Sequence, residues 1–232
     1  MSKTSRHRRA DARVRQRRAA IALVFVAAIS AIFVAGYFLS RSAPTSGAQP
    51  VAEGKTKGLA TAPVEIENWS DFQCPHCKTF ATTIGARLDQ GPIADGQVRL
   101  VFRQMAFLGD DSVQAAAASE CAADQGQFWA YHDKLFANQG GRGSGSFARP
   151  NLKRYGAQLG LDTASFDRCV DSGQTIARVQ AETALGEQKG VHSTPTLFVN
   201  GQKIEGVPTW ESLQRLIDQA SAAMSTPSAP QS

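Results

Sequence analysis

Apolar and polar residues alternate in three short stretches of the chain, and this alternation predicts β-strands. One strand is predicted over residues 63–68 and a second over 97–103. A hairpin is predicted over 196–206, where Asn200-Gly201 separates TLFV from QKIEG. The Asn-Gly dipeptide favours the two-residue turn that joins antiparallel strands.

Apolar residues at helical spacing predict helices between and after these strands. One helix is predicted from Pro75 to about Leu88, because proline suits the first turn of a helix. A helical block follows over about 110–172, then a longer helix over about 174–188. Thr209 can cap a last helix. The order of these elements predicts an α/β fold interrupted by a helical insertion.

The longest apolar stretch covers residues 19–40 and has no charged residue until Arg41. As a helix it spans roughly 33 Å, which matches a hydrocarbon core about 30 Å thick. The stretch therefore predicts one transmembrane helix. The alternative is a cleaved signal peptide with a cleavage site at Ser46-Gly47-Ala48, but the basic and apolar segments are longer than such peptides usually have.

The distribution of charge gives this predicted helix an orientation. The 232 residues carry a formal net charge of +5, but residues 1–18 hold eight basic residues against Asp11 alone. The other residues hold 17 basic and 19 acidic side chains, so the body is nearly neutral and no nucleic-acid partner is predicted. The positive-inside rule predicts a cytoplasmic basic tail, a single pass through the cell membrane and an extracytoplasmic domain.

Composition predicts the boundaries of that domain. Residues 41–62 are rich in Ala, Gly, Ser, Thr and Pro without apolar periodicity, which is typical of a flexible linker. Residues 224–232 are similarly featureless and are predicted to be a disordered tail. The folded domain is therefore expected over 63–223.

The candidate chemistry is concentrated in Cys74-Pro75-His76-Cys77, at the predicted junction of a strand and a helix. Residues three apart share a helix face, so the two sulfurs can bond across one turn. The helix N-terminus favours negative charge and should lower the pKa of Cys74. A protonated His76 would add to this effect, Pro75 stiffens the turn, and Cys77 would act as the resolving thiol.

Two other interpretations of this pair are a zinc half-site and a purely structural disulfide. The first would need two further ligands at a matching spacing, which the sequence does not contain. The second is disfavoured because a ring closed across one turn is strained and redox-labile. The remaining cysteines, Cys121 and Cys169, favour a structural disulfide in an oxidising compartment, with two buried free thiols as the alternative.

WSDFQCPHC at residues 69–77, together with Thr194-Pro195-Thr196 before the hairpin, resembles the DsbA-type thioredoxin-fold family of thiol–disulfide oxidoreductases. The resemblance extends over about 55–222 and implies a thioredoxin-like fold with an inserted α-helical domain. It further implies that Pro195 is cis and lies beside the active-site sulfurs. Thr194 would then offer backbone hydrogen bonds to an extended substrate peptide.

One position departs from the family pattern. Family members often carry a buried acidic residue six positions before the first active-site cysteine, where this chain has Asn68. The neighbouring Glu67 should point to the opposite face of the strand, and we expect it to be a solvated carboxylate at a strand edge. His192, three residues before Pro195, is either a group that tunes the thiolate or an ordinary loop histidine.

These observations predict a membrane-anchored thiol–disulfide oxidoreductase that introduces disulfides into exported, thiol-containing proteins. A membrane reoxidase, quinone-linked or similar to vitamin K epoxide reductase, would regenerate its disulfide. The sequence contains no nucleotide, flavin or metal motif, so no cofactor and no metal is expected. The alternatives are a disulfide isomerase, a reductase, for example in cytochrome maturation, and a non-enzymatic tethered chaperone or regulatory domain.

Overall fold

The computed structural model describes residues 52–225, and its centre is a mixed six-stranded sheet in the order β1-β2-β4-β3-β5-β6. Strands β3 and β4 are parallel, whereas β2 pairs with β4, β5 with β3, and β6 with β5 in the antiparallel sense. The strands are β1 (Ala52–Glu53), β2 (Thr56–Lys57), β3 (Val64–Ser70), β4 (Val98–Gln104), β5 (Thr196–Val199) and β6 (Gln202–Glu205).

The helices follow the predicted order closely. They are α1 (Pro75–Phe80), α2 (Ala86–Gln90), α3 (Asp110–Ala123), α4 (Phe128–Ala137), α5 (Arg149–Gln158), α6 (Thr163–Ser172), α7 (Ile176–Gln188) and α8 (Trp210–Ser225). A π-helical turn at Ala81–Gly85 joins α1 to α2. The helix predicted from Pro75 is therefore present, but it contains a wider turn that the apolar spacing does not reveal.

Strand β3 lies between β4 and β5 in the sheet, and its side chains are buried on both faces. Ile66 belongs to the large core that also contains Cys77 and Phe80. On the opposite face Trp69 packs with Met105 and Val191 in a smaller cluster. Helix α7 closes over that face at Gly186, where an added Cβ would lie only 2.8 Å from the Trp69 ring.

The helical insertion consists of α3 to α6, between β4 and α7. Cys121 of α3 and Cys169 of α6 form a disulfide, which confirms the predicted structural pair. Tyr131 of α4 donates a hydrogen bond of 2.9 Å to the carbonyl of Leu152 in α5. These links hold the inserted helices to each other, and an aromatic cluster connects them to the sheet at Phe102 and to the loop after β3 at Phe72.

The prediction of a flexible linker over 41–62 is wrong for its second half. Thr56 and Lys57 pair with β4. Lys55 forms ion pairs with Glu120 and Glu182 of the helices. Strands of two residues are too short to show alternation, so composition alone misjudges them.

The predicted C-terminal tail is also too long, because α8 continues to Ser225. The predicted basic tail over 1–18 and transmembrane helix over 19–40 lie outside the described residues, as does the first part of the linker. Within residues 52–225 we find no helix whose length and hydropathy would let it span a bilayer.

Candidate active site

The CPHC turn lies where β3 ends and α1 begins. Cys74 is the N-cap residue of α1, and Pro75 occupies the start of the helix, as predicted. Both thiols are free, so the structure contains the dithiol form. Cys74 retains 5% of its surface exposed and Cys77 none, so only Cys74 is open to an incoming substrate.

Asp71 holds the loop between β3 and the CPHC turn. Its carboxylate accepts hydrogen bonds from the backbone N–H of Gln73 at 2.8 Å, Phe107 at 3.1 Å and Leu108 at 3.2 Å. It also accepts one from the hydroxyl of Ser112 at 2.7 Å. Burial raises the pKa of Asp71, and these hydrogen bonds oppose that rise. The side chain thus ties three segments together beside the cysteines.

Gln139, just after α4, fixes the same loop from the helical insertion. Its Nε2 donates to the carbonyl of Phe72 at 2.6 Å and to that of Cys74 at 2.9 Å. Because a backbone carbonyl in a loop needs a donor when it is shielded from water, this amide replaces solvent at two positions. The inserted helices therefore help to set the position of Cys74.

The loop before β5 lies against Cys74. The Thr194–Pro195 peptide bond is cis, which confirms what the resemblance implies. The Cys74 sulfur lies 3.2 Å from the carbonyl oxygen of Thr194, to which the protonated thiol donates. The Pro195 carbonyl accepts from the N–H of Gly206 at 2.8 Å, beyond the end of the hairpin. The two predicted elements, CPHC and Thr194-Pro195, are thus in direct contact.

The pKa of Cys74 is lowered to about 5. A hydrogen bond from the Cys77 thiol is the largest cause, and burial acts in the opposite direction. The side chain of Thr194 and the backbone N–H groups of His76 and Cys77 add further hydrogen bonds that favour the thiolate. The backbone donors are those that the first turn of a helix leaves unpaired.

The pKa of Cys77 moves the other way and is raised well above that of an ordinary thiol. Burial is the main cause, and the neighbouring Cys74 raises it further. Two groups oppose the rise: the hydroxyl of Ser70 and the backbone N–H of Asp71, whose nitrogen is 3.5 Å from the sulfur. One thiol of the pair is therefore an anion near neutral pH while the other keeps its proton.

Asn68 and Glu67 differ from expectation in an informative way. Asn68 is 3% exposed and its Oδ1 has no hydrogen-bond partner among the described residues. Glu67 points to the opposite face, but the prediction of a solvated carboxylate is wrong because it is 8% exposed. It pairs with Arg103 at 3.1 Å and Lys189 at 2.7 Å. Burial acts to raise the pKa of Glu67, but these two cations outweigh it, so the pKa is lowered.

The remaining predicted residues lie at the surface of the site. Pro75 and His76 are exposed, and the contribution of His76 to the Cys74 thiolate comes through its backbone N–H. The added effect of a charged His76 ring stays a prediction. His192 is exposed in the loop before Pro195. Among residues 52–225 no group of three His, Cys, Asp or Glu side chains is placed to hold a metal ion.

Three residues of the site were missed by the sequence analysis: Ser70, Asp71 and Gln139. Asp71 had a local signal, because an aspartate that accepts from the N–H two residues later is typical of a turn before a helix. Gln139 gives no such signal, since its partners lie 65 and 67 residues away in the sequence. Ser70 could be placed only once β3 was known to run beneath α1.

Three features of the site define a class of protein. They are a thiol of low pKa at a helix start, a buried thiol three residues later, and a cis-proline loop packed against them. Such a site exchanges disulfides with substrate thiols through a mixed disulfide on the accessible sulfur. The protein is a thiol–disulfide oxidoreductase with a DsbA-like thioredoxin fold.

Comparisons with known proteins agree with this class. A family model described as Thioredoxin matches residues 52–219, and the chain belongs to that family. A probable disulfide bond formation protein D of Bacillus anthracis is 28% identical over 165 residues, covering 69% of this chain and 75% of the relative. The crystal structure of oxidised BdbD from Bacillus subtilis superimposes with a TM-score of 0.69 at 25% identity, covering 75% of this chain and 96% of that one.

A second kind of relative shares only part of its length with this chain. The Na(+)/H(+) antiporter NhaA of Herminiimonas arsenicoxydans is 33% identical over 150 residues. These residues cover 65% of this chain but 23% of the antiporter. The similarity therefore concerns one segment of that protein.

Proposed function

We propose that this protein is a membrane-anchored, extracytoplasmic oxidase that introduces disulfides into exported proteins through Cys74 and Cys77. The observation that carries the proposal is the pKa of Cys74, which is lowered to about 5. A stabilised thiolate favours the dithiol over the disulfide. The disulfide form of such a pair is therefore a strong oxidant.

The proposed reaction balances with the protein's own sulfurs. A substrate thiolate attacks the Cys74 sulfur of the disulfide form, a substrate–Cys74 bond forms, and the Cys74–Cys77 bond breaks. The electron pair of the broken bond goes to the Cys77 sulfur, which then takes up a proton. A second thiolate of the substrate then attacks the substrate sulfur of the mixed disulfide. The substrate disulfide forms, and Cys74 leaves as a thiolate.

The surface around Cys74 supports a polypeptide substrate. Phe107, whose backbone N–H bonds to Asp71 three residues before Cys74, is 42% exposed, whereas most large apolar side chains of residues 52–225 are buried. An exposed aromatic ring on a loop tied to the active-site turn suits an unfolded segment that still presents apolar residues. The backbone of Thr194 offers the hydrogen bonds that an extended peptide needs.

Location and recycling are further parts of the proposal. The apolar stretch over 19–40 with its basic N-terminal flank supports a single-pass anchor with the domain outside the cytoplasm. Each turnover leaves the pair reduced, with Cys74 as a thiolate and Cys77 protonated, so a second oxidant must accept two electrons and one proton. We propose a membrane reoxidase, quinone-linked or similar to vitamin K epoxide reductase, as that oxidant.

Refolding assays test the direction of the reaction. The disulfide form of the protein is mixed with a reduced, unfolded substrate and, separately, with a substrate that carries scrambled disulfides. An oxidase forms disulfides in the first substrate faster than it corrects those of the second. Faster correction of the scrambled substrate would favour the isomerase or reductase alternative. A Cys74→Ser protein that still supports the biological role would favour the tethered chaperone.

A further inference from the structure

The two buried polar side chains of β3 that face the core under α1 are Asn68 and Ser70, since alternate residues of a strand share a face. Each is almost fully buried, and neither Asn68 Oδ1 nor Ser70 Oγ has a hydrogen-bond partner among the described residues. A buried polar group without a partner is costly, so each calls for an explanation in function or in bound solvent.

The two side chains have different neighbours. Asn68 borders a small cavity of about 20 Å³, together with Lys57, Asp89 and His132, and Cys77 is not among the residues that line it. Ser70 instead lies beside Cys77: it immediately precedes Asp71, whose backbone nitrogen is 3.5 Å from the Cys77 sulfur, and its hydroxyl lowers the pKa of that thiol. In this chain a polar neighbour of Cys77 thus stands two residues after the strand position that often carries an acid in the family.

From this juxtaposition we propose that Ser70 is a catalytic residue that donates its hydroxyl hydrogen bond to the Cys77 thiolate. In the dithiol form the contact does not reach the geometry of a full hydrogen bond. A thiolate is a stronger acceptor than a thiol and draws the hydroxyl proton toward the sulfur. Ser70 keeps its proton throughout, and its role is to stabilise the charge.

The need for such a donor follows from the burial of Cys77. When a thiolate attacks Cys74, the bond to Cys77 breaks and the electron pair stays on a sulfur that is 0% exposed. Besides Cys74, the described groups that act most on this sulfur are the Ser70 hydroxyl and the N–H of Asp71, and neither carries a charge. The carboxylate of Asp71 itself accepts four hydrogen bonds from other groups. Two neutral donors therefore replace solvent for the leaving thiolate.

The substitution Ser70→Ala removes one of these donors with little cost to the fold, because Ser70 Oγ has no other partner. The test measures the rate at which the disulfide form reacts with reduced glutathione, a step in which Cys77 must leave. A hydrogen bond to a charged group supports an expected slowing of roughly tenfold. Ser70→Thr keeps the hydroxyl and should react at nearly the wild-type rate.

Ser119→Ala is the matched control, because Ser119 is also fully buried but its hydroxyl has other partners: it donates to the carbonyl of Ala116 and accepts from the side-chain amide of Gln104. Thermal unfolding of each variant confirms the fold. A Ser70→Ala protein that reacts as fast as the wild type would overturn the inference, and so would equal slowing in Ser70→Thr or Ser119→Ala. The inference rests on disulfide exchange at Cys74 and Cys77 in either direction, so a failed oxidase assay would reject the proposed function and leave this measurement intact.

Discussion

The two cysteine pairs of this chain share a chemistry but differ in almost every physical respect. Cys74 and Cys77 lie three residues apart at a helix start, are free thiols, and differ widely in pKa. Cys121 and Cys169 are separated by 48 residues, are bonded to each other, and lie inside the packing of α3 and α6. The first pair is reduced and unequal in pKa, whereas the second is joined in a disulfide.

The difference shows what makes a disulfide reactive. A disulfide that closes a short loop removes little conformational entropy from the unfolded chain, so a bond between Cys74 and Cys77 adds little stability. The stabilised Cys74 thiolate further favours the reduced form of this pair. A long loop restricts the unfolded chain far more, so Cys121 and Cys169 gain more from being joined. Reactivity therefore follows from helix position and hydrogen bonding, and stability from loop length.

The largest expected effect is on disulfide-exchange activity, which should depend on Cys74 and Cys77 and not on Cys121 and Cys169. Cys74→Ser should reduce disulfide exchange to the uncatalysed rate, because no other described cysteine is both free and exposed to solvent. The measurement is oxidation of a reduced peptide by the disulfide form of each protein. Cys77→Ala is the informative partner variant, since it should hold substrates as mixed disulfides on Cys74. Appreciable exchange by Cys74→Ser would show that the second pair also turns over.

The second effect concerns stability. Replacing Cys121 and Cys169 together by alanine should lower the free energy of unfolding by roughly 3–4 kcal/mol in the chain-entropy model. Chemical denaturation of the variant and the wild type, both with Cys74 and Cys77 reduced, measures this loss. The glutathione reaction at low temperature should keep its rate. A stable variant with impaired exchange would mean that this disulfide takes part in the reaction.

The third effect is the pH dependence of the reactive pair. The folded pKa of Cys74 is lowered to about 5, so its thiolate stabilises the folded dithiol above the ordinary thiol pKa, and this contribution is lost as the pH falls through about 5. Cys77 stays protonated in this window because its pKa is raised. Reduction then takes up one proton per two electrons.

The reduction potential should therefore change by about 30 mV per pH unit above pH 5, and by roughly 59 mV below it. Equilibration with glutathione buffers across this range provides the measurement. A slope of about 59 mV throughout the neutral range would mean that Cys74 is an ordinary thiol. The Cys121–Cys169 disulfide should remain oxidised in the same buffers.

The sequence alone was enough to predict the elements that have a strong local signature in residue type or spacing. The CPHC turn, the Thr194-Pro195 loop and the hairpin all have local signatures. In the hairpin, Asn200 and Gly201 both adopt positive φ, 44° and 86°, as the two-residue turn requires. These signals depend on a few adjacent residues, which is why one sequence was enough to find them.

The features that the sequence did not predict depend instead on residues that are far apart along the chain. The pairing of β2 with β4 depends on a neighbour that is remote in the sequence, and so does the Gln139 hydrogen bond to the Cys74 carbonyl. Glu67 was misjudged because its environment depends on Arg103 and Lys189, which the fold brings to it. Burial and charge pairing are tertiary properties, so alternation correctly gave the face of Glu67 but not its solvation.

The smallest expected effect tests the contact between the two predicted elements of the active site. The Thr194 side chain donates a hydrogen bond that lowers the pKa of Cys74, so Thr194→Val should raise that pKa by up to about one unit. Titration of the thiolate absorbance in the reduced protein measures the shift. Ser193→Ala, at an exposed neighbouring position, is the control and should leave the titration unchanged. An unchanged midpoint in Thr194→Val would assign the whole effect to Cys77 and the helix N–H groups. The cis-proline loop would then position substrate without tuning the thiolate.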